Sequence, residues 1–318
     1  MASTLSNIFV IFYAGAFTMG ILGNGFIVLV NCIDWIRSWK FSLIDFILTC
    51  LAISRIFLLC ITILRIAVGV NYEKTLYTNN NLLISLETLW TGSNYFCMTC
   101  TTCLSVFYFL KIANFSNPVF LWMKWRIHKM LLIIVLGATF SFCLCLLFKN
   151  TLVKSLIVNQ VNAEKNLTWN FTVRKYLLTS QMLLDIMFIT PFVMSLASLL
   201  PLILSLWNHT KQMKGTGSRD PRTEAHVRAM KCMISFLLLF FMYYFNHIIK
   251  YSVYAVVDTF VAKTFANVLV FFDPSGHPFL LILWNSKLKQ ASLSVLEKLK
   301  CCVNLRKPTI PQTCLKRL

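Results

Sequence analysis

The chain has 318 residues, of which 58% are hydrophobic and 13% are charged, and its formal net charge is +19. Soluble globular domains carry roughly 25% charged residues, so this composition excludes a soluble fold and indicates a membrane protein. The excess of Lys and Arg is spread over short segments between apolar runs, which indicates control of topology and contact with anionic lipids and argues against nucleic-acid binding.

Seven apolar stretches are long enough to cross a hydrocarbon core of about 30 Å. They lie at residues 8–33, 43–64, 83–110, 130–148, 182–207, 230–254 and 264–284. We number them spans 1 to 7. The sequence therefore predicts an all-α membrane protein with a seven-helix bundle over residues 1–285 and a tail at 286–318.

The basic residues predict the orientation of this bundle. Twenty of the 30 Lys and Arg residues lie in or beside the loops that follow spans 1, 3 and 5 and in the tail, against seven on the other side. Cytoplasmic loops are enriched in Lys and Arg, so we expect an extracellular amino terminus and a cytoplasmic carboxyl terminus. N-glycosylation sequons at Asn166 and Asn170 fall in the predicted extracellular loop between spans 4 and 5, where a glycan can be attached.

One charge stands in the middle of span 2. Arg55 is the only charged residue between Phe46 and Leu64. A charge at the bilayer centre costs at least about 2.5 to 3.5 kcal/mol and persists only when it faces a bundle interior or a water-filled cavity. We predict that Arg55 is held by Asn24 of span 1 and Asp273 of span 7, with His277 one turn further along, as a brace between three spans.

The twelve cysteines all fall in predicted spans or on the cytoplasmic side, so the sequence offers no extracellular disulfide framework. Cys97, Cys100 and Cys103 recur at every third residue of span 3, which resembles a ligand stripe. Neither His nor a carboxylate joins them, so we interpret them as small packing residues and predict no metal site.

The tail predicts one amphipathic helix. Apolar residues recur there at helical spacing and alternate with lysines: Leu288, Ala291, Val295 and Leu299. Such a helix lies on the membrane surface, and Cys301 and Cys302 just beyond it form a candidate palmitoylation site. The alternative is an ordinary solvated tail.

Catalytic patterns are lacking: the sequence has no His-Glu-X-X-His, no phosphate-binding glycine loop and no nucleophile elbow. Span 7 has no interior lysine for a retinal Schiff base, which argues against an opsin. We therefore expect that the chain is not an enzyme and has no cofactor. The remaining classes are a helix bundle that binds a ligand and one that transports a solute or ion.

Several short strings follow one another along the spans in a fixed order. They are GILGNGFI at 20–27, LAISR at 51–55, FYFLKIANF at 107–115, SLWNH at 205–209, TEAHVRAMK at 223–231 and NSKLKQAS at 285–292. Together they resemble the mammalian bitter taste receptors, the taste receptor type 2 family of G-protein-coupled receptors, over nearly the whole chain. Two features depart from the family pattern: Pro201 interrupts span 5, and HPFLL at 277–281 stands where the family usually has HSFIL.

The resemblance implies a plasma-membrane receptor in which a bitter small molecule binds the outer half of the bundle. Binding would favour a state that engages a gustducin-type heterotrimeric G protein, and the receptor could form homo- or hetero-oligomers. The implied ligand-binding residues are Trp90, Asn94, Glu87, Asp185, Lys250 and Asn267. The implied G-protein-facing residues are Tyr108, Lys111, His209, His226 and Lys231.

Each assignment has a plainer alternative. Trp90 can be an interfacial belt tryptophan, the charged pocket residues can face loops, and the cytoplasmic residues can contact lipid headgroups. A vomeronasal type 1 receptor shares the general layout, but the LAISR string favours taste. A transporter or channel would need an inverted repeat or paired broken helices, and a membrane hydrolase would need clustered His and carboxylates; we find neither pattern.

Overall fold

A computed structural model describes residues 2–39, 42–70, 80–113, 115–161, 187–214, 221–256, 265 and 268–306 of the chain. The helices in these ranges are α1 (Ala2–Ser38), α2 (Leu43–Val70), α3 (Asn80–Ile112), α4 (Pro118–Trp125), α5 (Ile127–Val161), α6 (Ile189–Lys214), α7 (Pro221–Val256), α8 (Phe272–Trp284) and α9 (Ser286–Arg306). Spans 1 to 3 correspond to α1 to α3, and spans 4 to 7 correspond to α5 to α8. The described chain is thus all-helical, as predicted.

Most helices extend beyond the apolar spans. An apolar run marks the part of a helix that lies inside the hydrocarbon core of the membrane. The hydrogen-bonded helix itself continues into the headgroup region on either side. By length and composition, five described helices can cross a membrane, namely α1, α2, α3, α5 and α6. The same criteria find shorter apolar stretches at Met233–Asn246, within α7, and at Val268–Trp284, which includes α8.

The large helices pack as a closed ring. α1 packs against α2 and α8, α2 against α3, α3 against α6, α6 against α7, and α7 against α8. α3 is the most buried of these helices, with 67% of its most apolar segment buried, while α5 packs against α3 with only 6% of its most apolar segment buried. The exposed apolar side chains of α5, among them Ile133, Leu136 and Phe140, therefore form a surface suited to lipid.

Hydroxyl and thiol groups connect α3 to its neighbours. Thr102 Oγ1 donates to Met98 O at 2.9 Å and lies 3.1 Å from Pro191 O in α6, and Ser195 Oγ donates to Pro191 O at 2.8 Å. Cys97 Sγ lies 3.2 Å from Ser54 Oγ of α2. Because each group has a partner inside the bundle, α3 carries polar atoms through its centre without leaving them unbonded.

The predicted packing role of the span 3 cysteines agrees with their surroundings. Cys97, Cys100 and Cys103 are buried free thiols within apolar clusters of the bundle. α6, which contains Pro201, continues as a helix through that residue.

Two short helices lie at the predicted cytoplasmic end. The helix α4 was not predicted; Asn117 caps it by accepting a hydrogen bond from Val119 N at 2.9 Å, and Pro118 occupies its first turn. The predicted tail helix is confirmed as α9, which Asn285 caps through Lys287 N and Leu288 N at 3.0 and 3.2 Å. Leu288 is fully buried and fixes the first turn of α9 to the bundle.

Candidate functional site

Arg55 lies in the core of the bundle and is 2% exposed. Its Nη2 atom is 3.7 Å from Oδ2 of Asp273 on α8, so the two predicted partners face each other as an ion pair. The separation is longer than a hydrogen bond. Among the described residues, Nε and Nη1 of Arg55 have no hydrogen-bond partner. The pair therefore balances charge but leaves much of the guanidinium's donor capacity unused.

Asn24 does not hold Arg55, contrary to the prediction. Its Nδ2 donates to Gly20 O at 2.8 Å and to Pro274 O of α8 at 2.9 Å. The carbonyl of Pro274 is free within its own helix because the residue four positions on, Pro278, has no N–H. Asn24 supplies that missing donor, so it links α1 to α8 through the backbone and not through the charge pair.

A small cavity, with room for about one water molecule, lies beside the charge pair. We call it the central cavity. Its lining residues are Arg55, Cys97, Met98, Thr101, Phe236, Leu239, Phe240, Asp273 and His277. It therefore brings together polar groups from α2, α3 and α8 with aromatic side chains of α7.

His277 connects this cavity to the half of the bundle that is predicted to be cytoplasmic. It is 1% exposed, and its ring stacks on Phe236 with centroids 5.2 Å apart and an interplanar angle of 23°. Phe236 in turn stacks with Tyr108 at 6.3 Å and 25°. A continuous chain of rings thus runs from α8 through α7 to α3, and Tyr108 is one of the predicted G-protein-facing residues.

In the half of the bundle predicted to be extracellular, the predicted ligand residues Glu87 and Trp90 lie beside Arg65, which was not predicted to belong to the site. Nη1 of Arg65 donates to both carboxylate oxygens of Glu87, at 2.9 and 2.8 Å, and Cζ of Arg65 lies 4.3 Å from the ring centre of Trp90. The indole Nε1 donates to Thr62 Oγ1 at 3.1 Å. We call Thr62, Arg65, Glu87 and Trp90 the outer cluster.

Trp90 is only 1% exposed, because Arg65 covers its face and Thr62 occupies its N–H. Asn94, one turn inward, is 2% exposed and donates from Nδ2 to Trp90 O at 3.0 Å. In this conformation a ligand would reach the indole face only after Arg65 moves.

A signal for Arg65 was present in the sequence. Arg65 closes span 2 and Glu87 stands near the start of span 3, so opposite charges occur near the outer ends of adjacent spans. This complementarity of charge is the signal that could have placed Arg65 in the site.

The remaining predicted ligand residues are less fully described. Asp185 and Asn267 lie outside the described residues, and Lys250 lies in α7 with its side chain outside them. The same holds for the predicted modification sites: Asn166 and Asn170 fall outside, and Cys301 and Cys302 lie in α9 without described side chains.

At the end of the bundle predicted to be cytoplasmic, Lys111 and Lys231 are exposed and Tyr108 is half-buried. His209 and His226 lie in α6 and α7, with side chains outside the described set. The structure thus puts three of the five predicted G-protein-facing side chains at or near this end.

A second ion-pair cluster at this end was not predicted. Nζ of Lys287 lies 2.7 Å from Oδ2 of Asp34 and 3.1 Å from Oδ2 of Asp45, which joins the start of α9 to α1 and α2. Burial disfavours the charged ammonium, but the two carboxylates outweigh burial and raise the pKa of Lys287 above its ordinary value. This cluster fixes the direction in which α9 leaves the bundle.

Comparison with known proteins gives one consistent result. The profile of the family described as taste receptor protein (TAS2R) matches residues 1–300. Taste receptor type 2 member 8 of Pongo pygmaeus is 44% identical over 310 residues, which are 94% of this chain and 98% of the relative.

Two further relatives agree. Taste receptor type 2 member 9 of Homo sapiens is 42% identical over 316 residues, covering 98% of this chain and 100% of the relative. Taste receptor type 2 member 7 of Macaca mulatta is 44% identical over 295 residues, covering 89% and 90%.

Proposed function

Because the chain belongs to the taste receptor protein family (TAS2R), we propose that it detects bitter small molecules in the outer half of its bundle and activates a gustducin-type heterotrimeric G protein. Family membership makes it a G-protein-coupled receptor of the plasma membrane that crosses the membrane several times, and not an enzyme. The observation that carries the proposed ligand site is the outer cluster, in which Trp90 and Glu87 meet Arg65.

The outer cluster has the chemistry that small organic ligands require. An indole offers a large apolar face, and the neighbouring guanidinium and carboxylate offer a few polar groups that fix orientation. Asn94 lies one turn deeper on the same helix. The proposed site therefore combines Trp90, Glu87 and Asn94, with Asp185, Lys250 and Asn267 as further candidates from neighbouring segments.

The described conformation is proposed as the resting one, because Arg65 covers the face of Trp90. An agonist that binds the outer cluster favours a different arrangement of the bundle only if it binds that arrangement more tightly. The ring chain of His277, Phe236 and Tyr108 gives the change a physical route to the cytoplasmic end.

At that end, Lys111 and Lys231 are exposed and are proposed to contact the G protein together with Tyr108, His209 and His226. The amino terminus is proposed to be extracellular, with glycans at Asn166 and Asn170. α9 is proposed to lie on the cytoplasmic membrane surface with palmitoylation at Cys301 and Cys302, and homo- or hetero-oligomers are part of the same proposal.

The decisive experiment measures calcium responses in cells that express the chain with a promiscuous Gα subunit, against a broad panel of bitter compounds. We expect at least one compound to give a dose-dependent signal that is absent from untransfected cells. Replacement of Trp90 by Ala should weaken that signal, while surface labelling stays within the wild-type range. Silence of a surface-expressed receptor across the panel, with steady currents or substrate uptake, would contradict the proposal and favour a channel or transporter.

A further inference from the structure

We propose that Arg65 is the carboxylate-binding residue of the outer cluster and that the receptor is tuned to small organic acids, an inference that rests on the proposed receptor function. It concerns a residue that neither the sequence strings nor the candidate ligand residues included. It names the chemical class of agonist that the cluster is built to accept.

The hydrogen bonding of Arg65 is one-sided. Both carboxylate oxygens of Glu87 are served by the same nitrogen, Nη1. Among the described residues, no acceptor meets Nε or Nη2 of this guanidinium. That pair of nitrogens is the planar edge with which arginine binds a carboxylate through two parallel hydrogen bonds.

The same guanidinium is held in a fixed position. Trp90 supports it from one face at 4.3 Å, and Glu87 holds one end at 2.8 Å. The indole is fixed in turn by its hydrogen bond to Thr62, whose hydroxyl donates to Leu58 O at 2.7 Å. The donor edge is therefore ordered before a ligand arrives. Binding then costs little side-chain conformational entropy, which favours affinity.

The position of Arg65 also makes a ligand contact strong. Its side chain is 14% exposed, so hydrogen bonds to it form in a partly desolvated environment, where they are stronger than at an open surface. Hydrogen bonds to charged groups contribute more than neutral ones. The free edge of Arg65 therefore has a fixed orientation and can form strong hydrogen bonds to a ligand.

Charge balance favours an acid over an amine. Lys149 of α5 is 6% exposed and interacts electrostatically with Glu87, so the described charged groups of this region are two cations and one carboxylate. A protonated amine would have to displace the tethered Arg65 from both Glu87 and the indole face. A carboxylate instead uses N–H groups that no described residue engages.

The test compares aromatic carboxylic acids with their methyl esters in the calcium assay. In the wild type, we expect each active acid to have an EC50 at least about tenfold below that of its ester, a ratio that corresponds to about 1.4 kcal/mol. Arg65→Gln should remove this difference by raising the EC50 of the acids. Arg65→Lys, which keeps the charge but lacks the planar edge, should give an intermediate ratio, and Glu87→Gln should preserve the preference for acids.

The matched control is Arg126→Gln. Arg126 also stacks on a tryptophan, Trp122, with Cζ 5.3 Å from the ring centre, but it follows α4 at the other end of the bundle. Its substitution should leave the acid-to-ester ratio unchanged. An unchanged ratio in Arg65→Gln at equal surface abundance would overturn the proposal, and so would a preference for protonated amines that Glu87→Gln abolishes.

A direct binding measurement separates this inference from the receptor function. Thermal unfolding of the full chain in lipid nanodiscs is followed with benzoate and with methyl benzoate. Stabilisation by benzoate alone that is lost in Arg65→Gln supports the acid site even when no compound signals. Equal shifts with both probes, or no shift, overturn it, whereas responses to non-acidic bitter compounds alone would leave the receptor function standing.

Discussion

The energetically most consequential residue pair is Arg55 with Asp273, because both charges lie inside the bundle. Removing one member of a buried ion pair leaves the other uncompensated, which costs about 3 to 5 kcal/mol. We therefore expect Asp273→Asn to lower the melting temperature of the purified receptor and its surface expression. Adding Arg55→Gln should recover part of the loss, because the double variant buries no charge at this place.

The control for this pair is Glu297→Gln, the same carboxylate-to-amide change on the exposed face of α9. It should not alter the melting temperature, since an exposed charge contributes little. Wild-type stability of Asp273→Asn would show that the pair does not support the fold.

Asn24 and Pro278 should be coupled in stability. Asn24 Nδ2 donates to Pro274 O at 2.9 Å, and Asn24→Leu would leave this buried carbonyl unbonded at a cost of about 1 to 3 kcal/mol. In a Pro278→Ala background the backbone at position 278 regains an N–H for the same carbonyl. A double-mutant cycle of melting temperatures should then show a smaller effect of Asn24→Leu; equal effects in both backgrounds would contradict the coupling.

Between elements, a glycine allows α1 and α8 to approach each other closely. A Cβ added to Gly23 would lie 2.9 Å from Cγ and 3.1 Å from Cβ of Pro278, and a proline ring cannot rotate away. We expect Gly23→Ala to cost about 1 to 3 kcal/mol, as overpacking does. Thermal unfolding is the measurement.

The matched control is two residues along the same helix. A Cβ added to Gly25 meets nothing within 4 Å, so Gly25→Ala should be neutral or slightly stabilising, since Ala favours a helix by up to about 1 kcal/mol over Gly. If both variants unfolded at the wild-type temperature, the close contact between α1 and α8 would be absent in solution.

The helices could largely be predicted from the sequence, because apolar length and helical spacing are local signals. α9 followed from its periodic apolar residues, and Leu288 is its buried anchor. α4 was missed because eight residues are too short for a periodic pattern. The bounds of α5 were too narrow because apolar length does not record how far a helix continues beyond hydrocarbon.

The site could be predicted only where one residue by itself requires a partner, as a charge inside an apolar span does. A lone arginine in span 2 requires an opposite charge, and Asp273 was the available one. Asn24 was assigned to the wrong partner because depth along a span does not reveal the carbonyl that Pro278 leaves free. The contacts of Lys287 with Asp34 and Asp45 join residues far apart in sequence, which no local pattern encodes.

Across the bundle, contacts through its centre join the outer cluster to the end that is predicted to be cytoplasmic. Arg65 and Trp90 lie on α2 and α3, and the same two helices carry Arg55 and Thr101 of the central cavity. From that cavity, His277 and Phe236 lead to Tyr108. We therefore expect a ligand that displaces α2 or α3 to change the walls of the cavity and the packing of its aromatic side.

Phe236 should act as a restraint on the resting state. It is 2% exposed and stacks on His277 and on Tyr108, and each aromatic pair is worth about 0.5 to 1.5 kcal/mol beyond its buried area. Phe236→Leu removes both pairs while keeping an apolar side chain. If the described conformation is the resting one, the substitution should raise ligand-independent G-protein signalling, measured as basal inositol phosphate accumulation per surface receptor.

Phe241→Leu is the matched control for that prediction. Phe241 lies on the same helix but is 63% exposed, so its loss should leave basal signalling at the wild-type level. A loss of about 1 to 3 kcal/mol from one state shifts a two-state equilibrium by roughly 5- to 150-fold, which a basal assay resolves. Unchanged or lower basal signalling of Phe236→Leu at equal surface abundance would mean that the rings support the fold without restraining activation, because only contacts that differ between two states can bias their populations.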